Sequence, residues 1–165
     1  MLLKSNVEFI KAPRFNVTLK VKKMLTDCVE MKEIKLPWNE KGNVGMDFYA
    51  PQKYIIQPHT FGNKIPTGIA VELPENIGML LLPRSSYGVK TTLRLSNSVG
   101  LIDTNYRGEI CALIDNLGDE PQIIEKGERF CQGVLIPAYK ITMKEVSNLQ
   151  ETQRGDGGFG STGRK

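Results

Sequence analysis

The chain has 165 residues, 40% apolar and 24% charged, and a net charge of +4. That length suits one domain with a substantial core, and the composition is that of an ordinary soluble globular protein. The mild positive charge suits an anionic ligand or simply a basic surface, and does not by itself call for nucleic acid.

The three cysteines, Cys28, Cys111 and Cys131, have no zinc-ligand spacing, and their odd number argues against a disulfide framework. The opening MLLKSNVEFIKAPR has no apolar run of signal-peptide length, and no stretch of about 18 apolar residues follows. The expectation is a soluble, intracellular protein with no membrane partner. The one histidine, His59, sits beside Pro58 and reads as a solvated loop residue.

In chain order, residues 1–16 lack periodicity and read as an arm. VTLKVKKM (17–24) alternates apolar and charged residues, as a half-buried strand does. Further strands are expected at 28–36, 46–50, 53–57, 68–73, 77–82, 91–96, 107–115, 129–137 and 139–146. Pro37, Pro51, Pro58, Pro66, Pro74, Gly118, Pro121 and Gly127 punctuate them. One short helix is expected over SSYGVK (85–90), with its serines able to cap it. Short strands at regular spacing predict an all-β, jelly-roll-like sandwich or barrel with at most that one helix.

Four internal stretches and the tail carry candidate chemistry. PRSSYGVK (83–90) sets an Arg and two hydroxyls at a helix start, either a phosphate site or a capped surface turn. LSNSVGLIDTNYRGEI (95–110) reads as two strands flanking a turn. Its Asp103 follows an apolar run, so its carboxylate belongs to a hairpin turn or is held to orient a water. VGMDFYA (44–50) puts Asp47 within an apolar pattern, where a carboxylate needs a partner. KGERFCQGVLIP (126–137) reads as a turn and a strand, with Gln132 alternating with apolar neighbours. In the tail, Gly158, Gly160 and Gly163 have G-x-G-x-x-G spacing. A dinucleotide fingerprint needs a helix after it, and none is expected before Lys165. Arg164 stands where a P-loop needs Lys.

Together and in this order, the five stretches resemble the trimeric deoxyuridine triphosphate nucleotidohydrolases, or dUTPases. VGMDFYA, PRSSYGVK, SVGLIDTNYRGE, KGERFCQGVLIP and RGDGGFGSTG look like that family's five motifs, and the likeness spans residues 17–165. It departs from the family's usual residues at Met46, Ser86, Tyr87-Gly88, Asn105 and Cys111.

The resemblance implies hydrolysis of dUTP to dUMP and pyrophosphate, which keeps uracil out of DNA and supplies dUMP for dTMP synthesis. By the same likeness Asp103 activates the attacking water. Arg84, Ser85, the Ser86 backbone and Gln132 bind phosphates. Asn97 reads uracil with Gly100, Leu101 and Ile102 at the hairpin edge and Cys111 at its base, and Tyr106 packs under the deoxyribose. Mg²⁺ rides on the triphosphate, with Asp47 holding its waters. The likeness also implies a homotrimer with shared sites. Its division is an arm (1–16), a β domain (17–150) and a Gly-rich lid (151–165), in which Phe159 stacks on uracil while Arg154, Gly160, Ser161 and Thr162 bind phosphate. Two other readings remain: a dCTP deaminase or bifunctional relative, and a nucleotide-sensing trimer without activity.

Overall fold

A computed structural model describes residues 16–24 and 30–158. Over these residues the chain forms ten strands and one short α-helix. One antiparallel sheet has the order β1 (Lys20–Lys23), β4 (Asn63–Glu72), β8 (Glu109–Asn116), β6 (Leu93–Leu95). A second has the order β2 (Met46–Tyr49), β10 (Arg129–Pro137), β5 (Ile77–Pro83), β7 (Gly100–Ile102). A ribbon pairs β3 (Tyr54–Ile56) with β9 (Gln122–Ile124), and α1 spans Ser85–Lys90. The all-β, jelly-roll-like expectation with one short helix is therefore met.

Alternation explains which faces meet. In β8 every second side chain is buried: Ile110, Ala112, Ile114 and Asn116. The first three pack with Ile65, Ile69 and Val71 of β4 and with Phe48, Met79, Leu81 and Phe130 of the second sheet in one apolar cluster. Asn116 is the polar member of the series. Its amide nitrogen donates to the carbonyls of Ile56 and Glu120, and its oxygen accepts from Thr92 Oγ1 and the Gly118 nitrogen. A buried amide with all these partners ties the ribbon to the sheet at little desolvation cost.

Several expected elements differ. Residues 31–33 form a 3-10 turn, not part of a strand over 28–36. Charges on both sides of it leave only Ile34 to enter the core. Residues 139–146 have no ladder among the described residues, and Tyr139, Ile141 and Met143 are exposed. β9 is a three-residue strand, QII, after Pro121, too short to stand out in the sequence.

Pro66 does not break the chain but lies inside β4, opposite Cys111 of β8. β1 reaches only Ile69–Glu72, so β4 is locally an edge at Pro66 and the missing N–H costs no ladder bond on the β1 side. The ladder then slips between Pro66 and Ala70. Gly68 sits in this bulge at φ 72°, and its amide donates to Glu109 Oε1 at 2.7 Å.

The hairpin over 97–111 is also corrected: β7 pairs with β5 and β8 with β4 and β6, so the chain arches from one sheet to the other. Nor do serines cap α1. Arg84 takes the N-cap position with no side-chain cap bond, and its carbonyl accepts from the Tyr87 nitrogen. His59 is in a loop as expected, at φ 52° and with Nε2 2.9 Å from Asp119 Oδ1.

Candidate active site

β2 and β10 pair in the register Gln132↔Asp47 and Arg129↔Tyr49. Residues 129 and 132 are three apart and would point to opposite faces of a regular strand. A bulge between Arg129 and Cys131 inserts one extra residue. It sends both Phe130 and Cys131 into the core and returns Arg129 to the same face as Gln132.

That face carries a buried carboxylate. Asp47 Oδ1 accepts from Arg84 Nε and Oδ2 from Arg129 Nη1, each at 3.1 Å. The two arginines are tied in turn, because Arg84 Nη1 donates to the Arg129 carbonyl at 3.0 Å. Two charge-assisted bonds are what make a largely buried carboxylate tolerable. They hold two guanidinium groups at the floor of a cleft of about 410 Å³. Trp38, Gly45, Ser85 and Gln132 also line it, beside the Gly42–Val44 loop. Gln132 Nε2 donates to the Pro83 carbonyl at 3.0 Å. The absence of a side chain at Gly45 makes room for it: a Cβ there would stand 2.5 Å from Gln132 Oε1.

The cleft thus joins Asp47, Arg84, Ser85 and Gln132 from three of the five sequence stretches. Ser86 follows in α1 and does not line the cleft. Tyr87 turns inward, and its hydroxyl donates to Glu128 Oε1 at 2.7 Å, fastening α1 to the turn before β10. Arg129 and Trp38 were not singled out from the sequence. The need of Asp47 for a cation was legible, but which of many cations would reach it was not.

The third stretch lies elsewhere. Gly100 is buried, Leu101 exposed and Ile102 packed against the core. Asp103 leaves β7 exposed at the core's rim, and its carboxylate bonds to no other described residue. The turn is built by its neighbours: Tyr106 N donates to the Asp103 carbonyl, and Thr104 Oγ1 to the Ile77 carbonyl at 2.8 Å. Tyr106 lays its ring over Gly108 and donates its hydroxyl to the Glu109 carbonyl. Asn97 is exposed, and Cys111 is half-buried with burial, then the Glu109 charge, raising its thiol pKa. Asn97, Asp103, Tyr106 and Cys111 do not line the cleft around Asp47.

In the tail, Arg154 is in a turn, its Nε donating to the Gly157 carbonyl at 2.8 Å, and Gly155 has φ 55°. Phe159, Gly160, Ser161 and Thr162 lie outside the described residues, as do residues 1–15 of the arm.

A dUTPase family model matches residues 33–163. The chain belongs to the dUTPase family. It is 43% identical over 124 residues to the deoxyuridine 5'-triphosphate nucleotidohydrolase of Hydrogenobaculum sp. (strain Y04AAS1), covering 75% of this chain and 86% of that one. It is 40% identical over 148 residues to the enzyme of the same name from Clostridium tetani, covering 89% and 97%. Among solved dUTPases, that of Staphylococcus bacteriophage 80alpha with dUPNHPP aligns at a TM-score of 0.73 and 28% identity, over 88% of this chain and 98% of that one. A mutant dUTPase from phage phi11 of S. aureus, described for its coordination of a structural Mg(II) ion, aligns at a TM-score of 0.67. At 24% identity that likeness speaks for the fold alone. Among the described residues, no helix is long and apolar enough to cross a membrane.

Proposed function

We propose that this protein hydrolyses dUTP to dUMP and pyrophosphate, lowering dUTP so that uracil stays out of DNA and supplying dUMP for dTMP synthesis. The observation that carries the reading is the cleft in which Asp47 holds Arg84 and Arg129 beside Ser85 and Gln132, in a chain of the dUTPase family. Two fixed guanidinium groups with hydroxyl and amide donors suit a polyphosphate, whose charge they meet without rearranging. The residues named for binding take the following parts. Arg84, Ser85 and Gln132 hold phosphate oxygens, and the Ser86 backbone adds a contact. Asp103 orients and activates the water that attacks the α-phosphorus, a task that suits a carboxylate with no partner among the described residues. Asn97, the backbone of Gly100, Leu101 and Ile102, and Cys111 surround the base. Tyr106 supports the deoxyribose.

Mg²⁺ has a limited place in this arrangement. Among the described residues no group of three or more His, Cys, Asp or Glu could hold a metal ion, and both Asp47 oxygens already accept from guanidinium groups. The donor set fits an ion carried on the triphosphate, with Asp47 reached through water. Bound so, Mg²⁺ would supply neutralisation of phosphate charge.

Because Asp103 and Tyr106 do not line the cleft of their own chain, we assign the complete site to a homotrimer in which different copies contribute the two groups. Residues 151–165 then close over the nucleotide, with Arg154, Gly160, Ser161 and Thr162 on the phosphates and Phe159 on the base, and residues 1–16 form an arm outside the catalytic unit. Pyrophosphate release with Mg²⁺ from dUTP, against dCTP, dTTP and UTP, tests the reading. Release from dUTP alone is expected; ammonia released from dCTP would establish a deaminase instead.

A further inference from the structure

Trp38 is the chain's one tryptophan. It forms part of the cleft wall, joined to β2 by a two-way bridge: Trp38 N donates to the Asp47 carbonyl at 2.9 Å, and Asp47 N to the Trp38 carbonyl at 2.8 Å. Its ring lies 4.7 Å from the Arg129 guanidinium carbon. The same guanidinium donates through Nη1 to Asp47. A single bond to a carboxylate leaves a guanidinium able to pivot about it, whereas a ring against its face removes that freedom. Trp38 stands outside the apolar core and remains 38% exposed, so packing alone gives little reason for so large a side chain there.

We propose that Trp38 is a positioning residue: its ring holds the Arg129 guanidinium against Asp47 so that its remaining N–H groups meet the phosphate chain of the nucleotide. The proposal rests on the polyphosphate reading of the cleft. It adds a residue that acts on binding through Arg129 without itself joining the chemistry. As the only indole, and one lining the cleft, Trp38 also reports occupancy by its emission.

The test uses the full chain and the variants Trp38→Phe, Trp38→Leu and Arg129→Lys. With dUTP and Mg²⁺, Trp38→Leu is expected to raise KM about threefold to tenfold, the scale of one lost cation–π contact, with kcat changed less than about twofold. Trp38→Phe, which keeps a ring face, should restore most of the loss. In an Arg129→Lys background, Trp38→Leu should have little further effect, since an ammonium has no plane to orient. Wild-type emission should change saturably on titration with dUpNHpp and, separately, with inorganic pyrophosphate. An unchanged KM in Trp38→Leu overturns the proposal, as does emission silent to both ligands. So does a fall in thermal stability and kcat that Trp38→Phe fails to rescue, which would make Trp38 a packing residue only. Absence of pyrophosphate release by the wild type overturns the dUTP reading instead, and the emission response to pyrophosphate then decides the role of Trp38.

Discussion

Asp47 and Asp103 show how environment divides two like side chains. Asp47 is enclosed and held by two guanidinium groups, which makes it a scaffold for cations. Asp103 is exposed with no described partner for its carboxylate. Asp103→Asn keeps the shape and removes the carboxylate to which the proposed function gives the base's part. It is expected to lower kcat by about 10²- to 10⁴-fold while dUpNHpp affinity, measured by calorimetry, stays near wild type. Tyr87 links protonation to stability. Burial, then the hydrogen bond to the Glu128 carboxylate, pushes its phenol far above the ordinary range. As pH rises through about 10 the unfolded chain releases this proton first. Stability that is fully present below that pH therefore falls as the solution becomes more alkaline. Urea unfolding midpoints should drop more steeply above pH 10 for wild type than for Tyr87→Phe. At pH 7 the variant should be the weaker by about 1 kcal/mol, for the lost hydrogen bond.

Among the elements, two bulges do work that strand patterning does not reveal. The bulge in β10 puts Arg129 and Gln132 on one face, and without its extra residue the cleft would lose one or the other. The bulge in β4 is closed by Thr67, whose Oγ1 donates to the Ile110 carbonyl, and by Glu109 on the Gly68 amide. A Cβ at Gly68 would meet Ile34 side-chain atoms at 3.0 Å, at a positive φ that L residues rarely adopt. Gly68→Ala should therefore cost about 1–3 kcal/mol in denaturant unfolding, with little change in KM for dUTP. Short apolar runs between turn residues located β2, β5, β8 and β10 from the sequence, because each buries side chains in the core. The same reading misjudged residues 30–36 and 139–146, where the letters find no strand among the described residues to complete a ladder. It also missed β9, too short to show a period.

For the whole molecule, the central fact is the separation of the Asp47 cleft from the Asp103 turn within one chain. The turn lies on the crossing from β7, at the edge of one sheet, to β8, inside the other. Deleting residues 154–165 should slow pyrophosphate release by at least about 10²-fold, the scale of losing a closing segment. The truncated chain should sediment at the same oligomeric size as the full one, because the deletion leaves the β domain whole.

The sequence by itself determined the class of fold and the family, since strand periodicity and ordered motifs are local properties that survive without coordinates. It also determined that Asp47 needs a partner and that Asp103 stands at a core's rim. Only the tertiary structure decided that the partners are Arg84 and Arg129, that Trp38 lies on the latter, and that the residues around Asp103 do not line the cleft. Each of these depends on register, on a one-residue bulge and on which sheet a strand joins. Those are set by long-range pairing, and no short window of residues contains it.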